Sequence, residues 1–168
     1  MRWRTLAGTG AAVVATAVVG AVAVESDSRW FRGLRKPRWQ PPPPVFGPVW
    51  TALYADIAVA SAAALSRLPR RSGYVPALAA NLLLNAGWTW VFWGARSPRW
   101  AAVEAGILTA SSLDLLRRTA RVDAPAGAAL VPYAGWCAFA TALSADIARR
   151  NPRPPTAGAD SAGTARSR

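Results

Sequence analysis

The amino-acid sequence predicts an all-α membrane protein, a bundle of five transmembrane helices. Five apolar segments, each near the roughly 20 residues that a helix needs to cross a bilayer, are separated by short loops that carry arginine or proline. Of the 168 residues, 52% are hydrophobic and nine are tryptophan. Because lipid offers the backbone no hydrogen-bond partners, spanning segments must be helical, and short loops make consecutive helices antiparallel neighbours. The predicted helical domain comprises residues 1–151.

The first predicted helix covers residues 6–24 and is preceded by Arg2 and Arg4. A basic start followed by an apolar run with small residues near Ala23 is also typical of a cleavable signal peptide. The apolar run is longer than a usual signal core, which favours a full span.

Four further helices follow, with basic or proline-containing loops between them. They are predicted over residues 45–65, 75–94, 100–116 and 124–148. Pro48 is expected in the first turn of the second helix, where its missing N–H is tolerated, and Pro132 is expected to bend the fifth helix. Residues 152–168 are rich in Pro, Ala, Gly and Ser, a composition that predicts a disordered tail.

The composition argues against several classes of function. The net charge of +12 lies in short clusters between the apolar runs rather than in a continuous stripe, so no nucleic-acid partner is expected. With no His, one Cys and one Met, the chain lacks the usual ligands of haem iron and soft metals, and no metal site is predicted. Any bound tetrapyrrole must then be held by stacking and hydrogen bonds. The Ala, Arg and Pro bias is typical of high-GC bacteria, which favours a multi-pass protein of the bacterial cell membrane.

The loop between the first two helices (residues 25–44, the first loop) combines aromatic, basic and proline residues. Its prolines favour a stiff, extended polyproline geometry. The aromatic and basic residues are Trp30, Arg32, Arg35, Lys36, Arg38 and Trp39, with Trp50 just beyond the loop. Aromatic planes beside cations suit a flat ligand that carries carboxylates. An ordinary belt of interfacial tryptophan with positive-inside charge is the other interpretation of the same residues.

Polar and aromatic residues also recur at helical spacing inside three of the predicted helices. Each of these sets shares one helix face: Asn81, Asn85, Trp88 and Phe92; Tyr133, Trp136, Ala140 and Leu143; Trp50, Leu53, Tyr54 and Ile57. Such faces indicate either an interior cavity or helices that are joined by Asn and anchored by Trp in the membrane interface.

Several of these motifs together resemble the TspO/MBR family, also called translocator proteins, tryptophan-rich sensory proteins or peripheral-type benzodiazepine receptors. The resemblance rests on Trp30, LRKPRWQPP at 34–42, FGPVWTALY at 46–54, Asn85 with Trp88, FWGAR at 92–96, Trp100 with Glu104, and PYAGWCAFA at 132–140. It covers residues 5–151. The first-loop run and the last run together are specific to the family.

The resemblance implies a five-helix protein in membrane lipid, a homodimer, whose pocket opens under the first loop and binds porphyrins, above all protoporphyrin IX. The positions that match the family's pocket are Trp39, Trp50, Tyr54, Asn85, Trp88, Trp100, Trp136, Ala140 and Leu143. Indole rings would stack on the macrocycle, while Arg32, Arg35 or Lys36 would hold its propionates. The porphyrin is the ligand, and no cofactor is required.

The function that the resemblance implies is porphyrin sensing, transport or light-dependent degradation. For degradation, Trp50 and Trp136 are the candidate photo-oxidation residues, because a stacked indole can supply an electron to an excited porphyrin. No acid/base pair, nucleophile or metal site supports other catalysis. The alternatives are a carrier of another amphipathic metabolite or lipid, and a non-catalytic membrane scaffold. The run from Leu143 to Arg149 carries no aromatic residue, which argues against sterol recognition.

Overall fold

The computed structural model describes residues 2–68 and 73–152. These residues form seven α-helices and one π-helical turn. The helices are α1 (Trp3–Val22), α2 (Arg29–Gly33), α3 (Pro43–Arg67), α4 (Tyr74–Thr89), α5 (Pro98–Val122), α6 (Ala124–Ala129) and α7 (Val131–Arg150), and the π-helical turn, Trp90–Gly94, continues α4. Beyond Pro152, the predicted tail lies outside the described residues.

The predicted all-helical fold is confirmed. Four helical stretches of the described chain are long and apolar enough to cross a membrane, namely Trp3–Val22, Pro43–Arg67, Tyr74–Gly94 and Ala124–Arg150. The remaining long helix, α5, has 25 residues, but charged side chains lower its mean hydropathy. Arg117, Arg118 and Arg121 lie in its last two turns, beyond the end predicted at residue 116.

Helix α1 packs against α3 and α4 through a face of small and hydroxyl-bearing residues. Its buried residues, spaced by three and four, are Thr5, Thr9, Val13, Thr16 and Gly20. Thr9 Oγ1 donates to the Ala58 carbonyl of α3 at 2.9 Å. Trp90 Nε1 donates to the Val19 carbonyl of α1 at 3.1 Å. Small residues let the helix backbones approach closely enough for these bonds.

Helix α5 packs against both α4 and α7. Tyr74 of α4 and Thr119 of α5 share a hydrogen bond of 2.8 Å between their hydroxyls. Thr109 of α5 and Thr141 of α7 share another of 2.9 Å. Hydroxyl pairs therefore join α5 to each of its neighbours.

The last span is broken between α6 and α7. Pro132 was expected to bend one continuous helix, but Leu130 separates two helices, and Pro132 lies in the first turn of α7, where its missing N–H needs no partner. Asp123 caps the start of α6 and forms an ion pair of 2.7 Å with Arg67 of α3. These contacts fix the beginning of the span.

The first loop is less extended than predicted. Helix α2 precedes the prolines and begins after Ser28, whose Oγ accepts a hydrogen bond from Phe31 N at 3.2 Å. Helix α3 begins at Pro43, two residues earlier than the predicted start, so Pro48 lies in its second turn instead of its first. The loop proper therefore ends at residue 42.

We expect Gly127→Ala to destabilise the bundle, because a Cβ at Gly127 would lie 2.5 Å from Ala120 Cα of α5. The two backbones would have to separate, at a cost of about 1–3 kcal/mol. The matched control is Gly135→Ala in α7. A Cβ there meets nothing within 4 Å, and alanine in a helix interior is favoured over glycine by about 0.5–1 kcal/mol.

Unfolding can be followed in detergent with a thiol-reactive dye, because the single cysteine, Cys137, is buried. Equal unfolding temperatures for Gly127→Ala and Gly135→Ala would contradict the close approach of α5 and α6.

Candidate ligand-binding site

A cavity of about 410 Å³ lies beneath the first loop, between α1, α3, α4 with its π-helical turn, and α7. This volume falls within the range of small-molecule sites, about 300–1,000 Å³. Among the described residues that line the cavity, none is charged. Seven are aromatic: Phe31, Phe46, Trp50, Tyr54, Trp88, Phe92 and Trp93. An uncharged aromatic wall suits the flat apolar body of a ligand.

The π-helical turn positions two of these aromatic rings. At its end Ala95 N donates to the Trp90 carbonyl, five residues back, at 2.8 Å, and Arg96 adopts a left-handed conformation with φ of 50°. Because the turn contains more residues than an α-helical turn, the adjacent Phe92 and Trp93 are both buried. The turn thus forms one end of the cavity.

The start of the first loop packs on this turn through aromatic contacts. The ring centroids of Phe31 and Trp93 are 4.4 Å apart, and Trp30 meets Phe92 edge-on at 5.5 Å. Lys36 Nζ lies 3.7 Å from the centroid of the Phe31 ring, a cation–π contact. Since Phe31 is itself a lining residue, the Lys36 ammonium is close to the cavity without lining it.

The C-terminal end of α7 anchors the same loop a second time. Asn151 Oδ1 accepts a hydrogen bond from Arg35 N at 2.9 Å, and Asn151 Nδ2 donates to the Arg35 carbonyl at 3.0 Å. Trp39 Nε1 donates to Asp146 Oδ2 at 3.2 Å. These contacts hold the loop over the cavity.

One wall of the cavity continues into a buried hydrogen-bond network. Tyr54 OH donates to Asn85 Oδ1 at 2.7 Å, and Asn85 Nδ2 donates to Tyr133 OH at 3.3 Å. Tyr133 OH in turn donates to Asn81 Oδ1 at 2.8 Å, and Asn81 Nδ2 donates to Ser112 Oγ at 3.1 Å. The network joins α3, α4, α5 and α7, and it fixes the amide of Asn85 in the cavity wall.

Two lining side chains carry buried polar atoms that have no hydrogen-bond partner in the described structure. They are Trp88 Nε1, a donor, and Gln40 Oε1, an acceptor. The Trp88 ring stacks on Phe92, with centroids 5.5 Å apart and planes 19° apart, which fixes the direction of its N–H. Because buried polar groups are normally paired, these two atoms are the ones that a polar edge of a ligand would satisfy.

The cavity brings together five of the nine side chains assigned to ligand binding from the sequence, which are Trp50, Tyr54, Asn85, Trp88 and Leu143. Trp136 lies behind Trp50, with ring centroids 6.5 Å apart. Trp39, Trp100 and Ala140 are not among the lining residues described, and Trp39 is 47% exposed and Trp100 62% exposed. Ligand contact by any of the nine stays a prediction.

Sequence reasoning missed the part of the cavity that α1 contributes. Ala17, Gly20 and Ala21 line it, and their spacing of three and four marks one helix face, a signal that could have found them. Trp93 was also missed, because the lining faces were predicted from the periodicity of an α-helix, which a π-helical turn does not follow.

The three residues assigned to carboxylate binding lie in α2 and the first loop. Arg32 and Arg35 are exposed, whereas Lys36 is half-buried. Burial lowers the pKa of Lys36 from its ordinary value because desolvation disfavours the ammonium. In residues 2–68 and 73–152, no group of three or more His, Cys, Asp or Glu side chains could hold a metal ion.

Comparison with known proteins gives consistent matches over most of the chain. The model of the TspO/MBR family matches residues 9–150. Human translocator protein is 33% identical over 138 residues, 79% of this chain and 82% of that protein. Tryptophan-rich protein TspO of Chlorobaculum tepidum is 33% identical over 143 residues, 83% of this chain and 90% of the relative. The tryptophan-rich sensory protein of Cereibacter sphaeroides is 31% identical over 160 residues, 94% of this chain and 98% of the relative.

We expect Tyr133→Phe to lower the free energy of unfolding by about 1 kcal/mol. The change leaves Asn81 Oδ1 and Asn85 Nδ2 without the bonds they make to the Tyr133 hydroxyl. Buried groups left unpaired cost about 1–3 kcal/mol, while interhelical hydrogen bonds in membranes average about 0.6 kcal/mol. Thiol-dye unfolding measures the loss, and a double-mutant cycle with Asn81→Leu isolates the pair energy. Strictly additive losses would mean that the two side chains do not interact.

Proposed function

Because the chain belongs to the TspO/MBR family, a family of five-span membrane proteins, we propose that it binds a tetrapyrrole of the protoporphyrin type in the cavity beneath the first loop. The observation that carries the proposal is the cavity wall, with seven aromatic side chains and no charged one among the described lining residues. The proposed role, in a bacterial cell membrane, is sensing, transport or light-dependent degradation of this ligand.

An aromatic wall supports stacking on a flat macrocycle. Each aromatic contact contributes about 0.5–1.5 kcal/mol beyond the burial of area. Inside the protein, Asn85 uses one hydrogen of Nδ2 and one lone pair of Oδ1. The second hydrogen and the second lone pair can bond to a ligand. Trp88 Nε1 and Gln40 Oε1 supply a further donor and acceptor.

The propionates of such a ligand belong at the rim of the cavity. A carboxylate buried without a partner is costly, and no cation lines the cavity among the described residues. Of the cations of the first loop, Lys36 lies next to the cavity, on the Phe31 ring. The apolar edge of the porphyrin therefore points inward and its carboxylates point toward the loop.

Light-dependent degradation is consistent with the position of the two candidate tryptophans. Trp50 lies in the cavity wall, where its indole can transfer an electron to an excited ligand. Trp136 lies behind it and can return an electron to Trp50. The two residues thus have different roles, Trp50 as the donor that contacts the ligand and Trp136 as the donor to Trp50.

A carrier of an uncharged amphipathic metabolite or lipid is the second candidate function. The uncharged wall favours it, because such a ligand needs no cation inside the cavity. The two candidates differ in what they require of the first loop, since only a dicarboxylate ligand needs its cations.

Protoporphyrin IX should quench the tryptophan fluorescence of the detergent-solubilised protein saturably in the dark, and Gly47→Leu should weaken this binding tenfold or more. Gly47 lines the cavity, and a Cβ there meets nothing within 4 Å, so a leucine side chain would take up ligand space. Gly8→Leu is the control, because Gly8 is equally open but does not line the cavity. Absence of saturable quenching in the wild type would rule out the porphyrin proposal.

Lys36→Gln should weaken binding of protoporphyrin IX about fivefold, which corresponds to about 1 kcal/mol for an ion pair at the rim, and should leave binding of its dimethyl ester unchanged. Arg38→Gln removes a charge two residues along the loop and serves as the control. Because the pKa of Lys36 is lowered, raising the pH should remove its charge at a pH below the ordinary lysine pKa of 10.5. Its contribution to the affinity should be lost over the same pH range. Equal losses for the acid and the ester would instead indicate a structural effect and favour the carrier of uncharged ligands.

A further inference from the structure

A row of aromatic rings runs from the cavity wall to the surface of the protein. Trp50 in the wall has its centroid 6.5 Å from that of Trp136. Trp136 is followed by Phe139 at 5.1 Å, and Phe139 by Trp39 at 5.7 Å. Trp39 lies in the first loop and is 47% exposed. The row therefore joins the buried cavity to an exposed side chain of the first loop.

The outer end of the row also has a proton acceptor. Trp39 Nε1 donates to Asp146 Oδ2 at 3.2 Å. Arg150 Nε lies 3.1 Å and Arg149 Nη2 3.6 Å from the other oxygen of the same carboxylate, and Arg150 Nη2 donates to Oδ2 itself at 3.2 Å, which holds Asp146 in place. A carboxylate at the indole N–H stabilises positive charge on the ring, and it can accept the proton that an oxidised indole releases.

We propose that Trp39 is the surface exit of a tryptophan relay, through which a water-soluble one-electron reductant, such as an enediol of the ascorbate type, resupplies Trp50 after Trp50 has reduced a light-excited ligand. The relay rests on the proposed function, because it needs a light-absorbing ligand against Trp50. It assigns to Trp39 a role that does not require contact with the ligand.

Each step of the relay moves one electron. Excited ligand takes an electron from Trp50 and becomes its radical anion, while Trp50 becomes a radical cation. Trp136 reduces Trp50, and Trp39 then reduces Trp136 across the ring of Phe139, which is too hard to oxidise to hold the charge itself. The Trp39 cation gives its Nε1 proton to Asp146. The reductant returns one electron and Asp146 returns the proton, so that overall one reductant molecule is oxidised and one ligand is reduced.

The separation of charge is what the relay gains. A radical cation on Trp50 lies against the ligand anion and recombines with it. A radical cation on Trp39 is three rings away from the anion, which slows recombination. Moving it to the surface also spares the buried indoles from irreversible oxidation. Interrupting the row should therefore lower the yield of reduced ligand for each ligand molecule that is bound.

The test uses the full-length protein in detergent with bound protoporphyrin IX, illuminated without oxygen in the presence of ascorbate. Trp39→Phe should slow the loss of the Soret band at least fivefold. Phe139→Leu, which keeps Trp39 and its bond to Asp146, should slow it as well. Rates are compared per bound ligand, with each variant saturated according to its own dark quenching curve, because Trp39 is one of the predicted ligand-binding residues and its bond to Asp146 helps to hold the loop over the cavity. Trp3→Phe is the control, because Trp3 is 77% exposed and belongs to no aromatic pair among the described residues.

Asp146→Asn provides a readout that a structural role would not affect. In transient absorption the wild type should form the neutral tryptophan radical, whereas the variant should retain the cation radical, with its band at longer wavelength. Wild-type reduction rates in Trp39→Phe, with dark binding intact, would overturn the relay and leave the proposed function standing. Absence of saturable dark quenching in the wild type would overturn the proposed function, and the relay with it.

Discussion

A hydroxyl or amide buried inside a membrane bundle has no water to bond to, and the side chains around Tyr133 meet that constraint by bonding to one another. The Tyr133 hydroxyl accepts from Asn85 and donates to Asn81, so one group of α7 fixes two amides of α4. Through Ser112 and Tyr54 the same network reaches α5 and α3. Four helices are thereby held in one register, and Tyr54 and Asn85, at one edge of the network, also form part of the cavity wall.

The roof of the cavity depends on this register at both of its attachments. At its start, the first loop packs on the π-helical turn that continues α4, through Phe31 and Trp93. Further along, the loop is bonded through Arg35 to Asn151, just beyond α7. If α4 and α7 moved apart, the loop would have to release one of these attachments. The hydrogen-bond network in the core therefore fixes the position of the first loop, although no residue belongs to both the network and the loop.

Much of this arrangement follows from periodicity, and the parts that do not have identifiable causes. Asn85 and Trp88 could be placed in a cavity wall because three-residue spacing brings side chains to one face of an α-helix. The same rule could not place Trp93, since the π-helical turn shifts the register only where it occurs. Trp100 is exposed and is not among the described lining residues; the direction it faces depends on how α5 is rotated against α4 and α7, which no local pattern encodes. Helix α2 was not predicted, because the prolines that follow it indicated an extended loop.

The separation of charge from the cavity determines how a ligand can enter it. Inside, a carboxylate would lose its hydration and find no cation among the described lining residues, whereas at the rim it remains near water and Lys36. In the proposed complex, the orientation of a charged flat ligand would therefore be set before any specific hydrogen bond forms. In the proposed complex, Trp88 Nε1 and Gln40 Oε1 would then discriminate among the molecules that fit, since each would stay unpaired if the ligand lacked the matching group. In the proposed complex, a ring body oriented in this way would meet Trp50 in the wall, so the same physical effect that selects the ligand would also determine which indole it contacts.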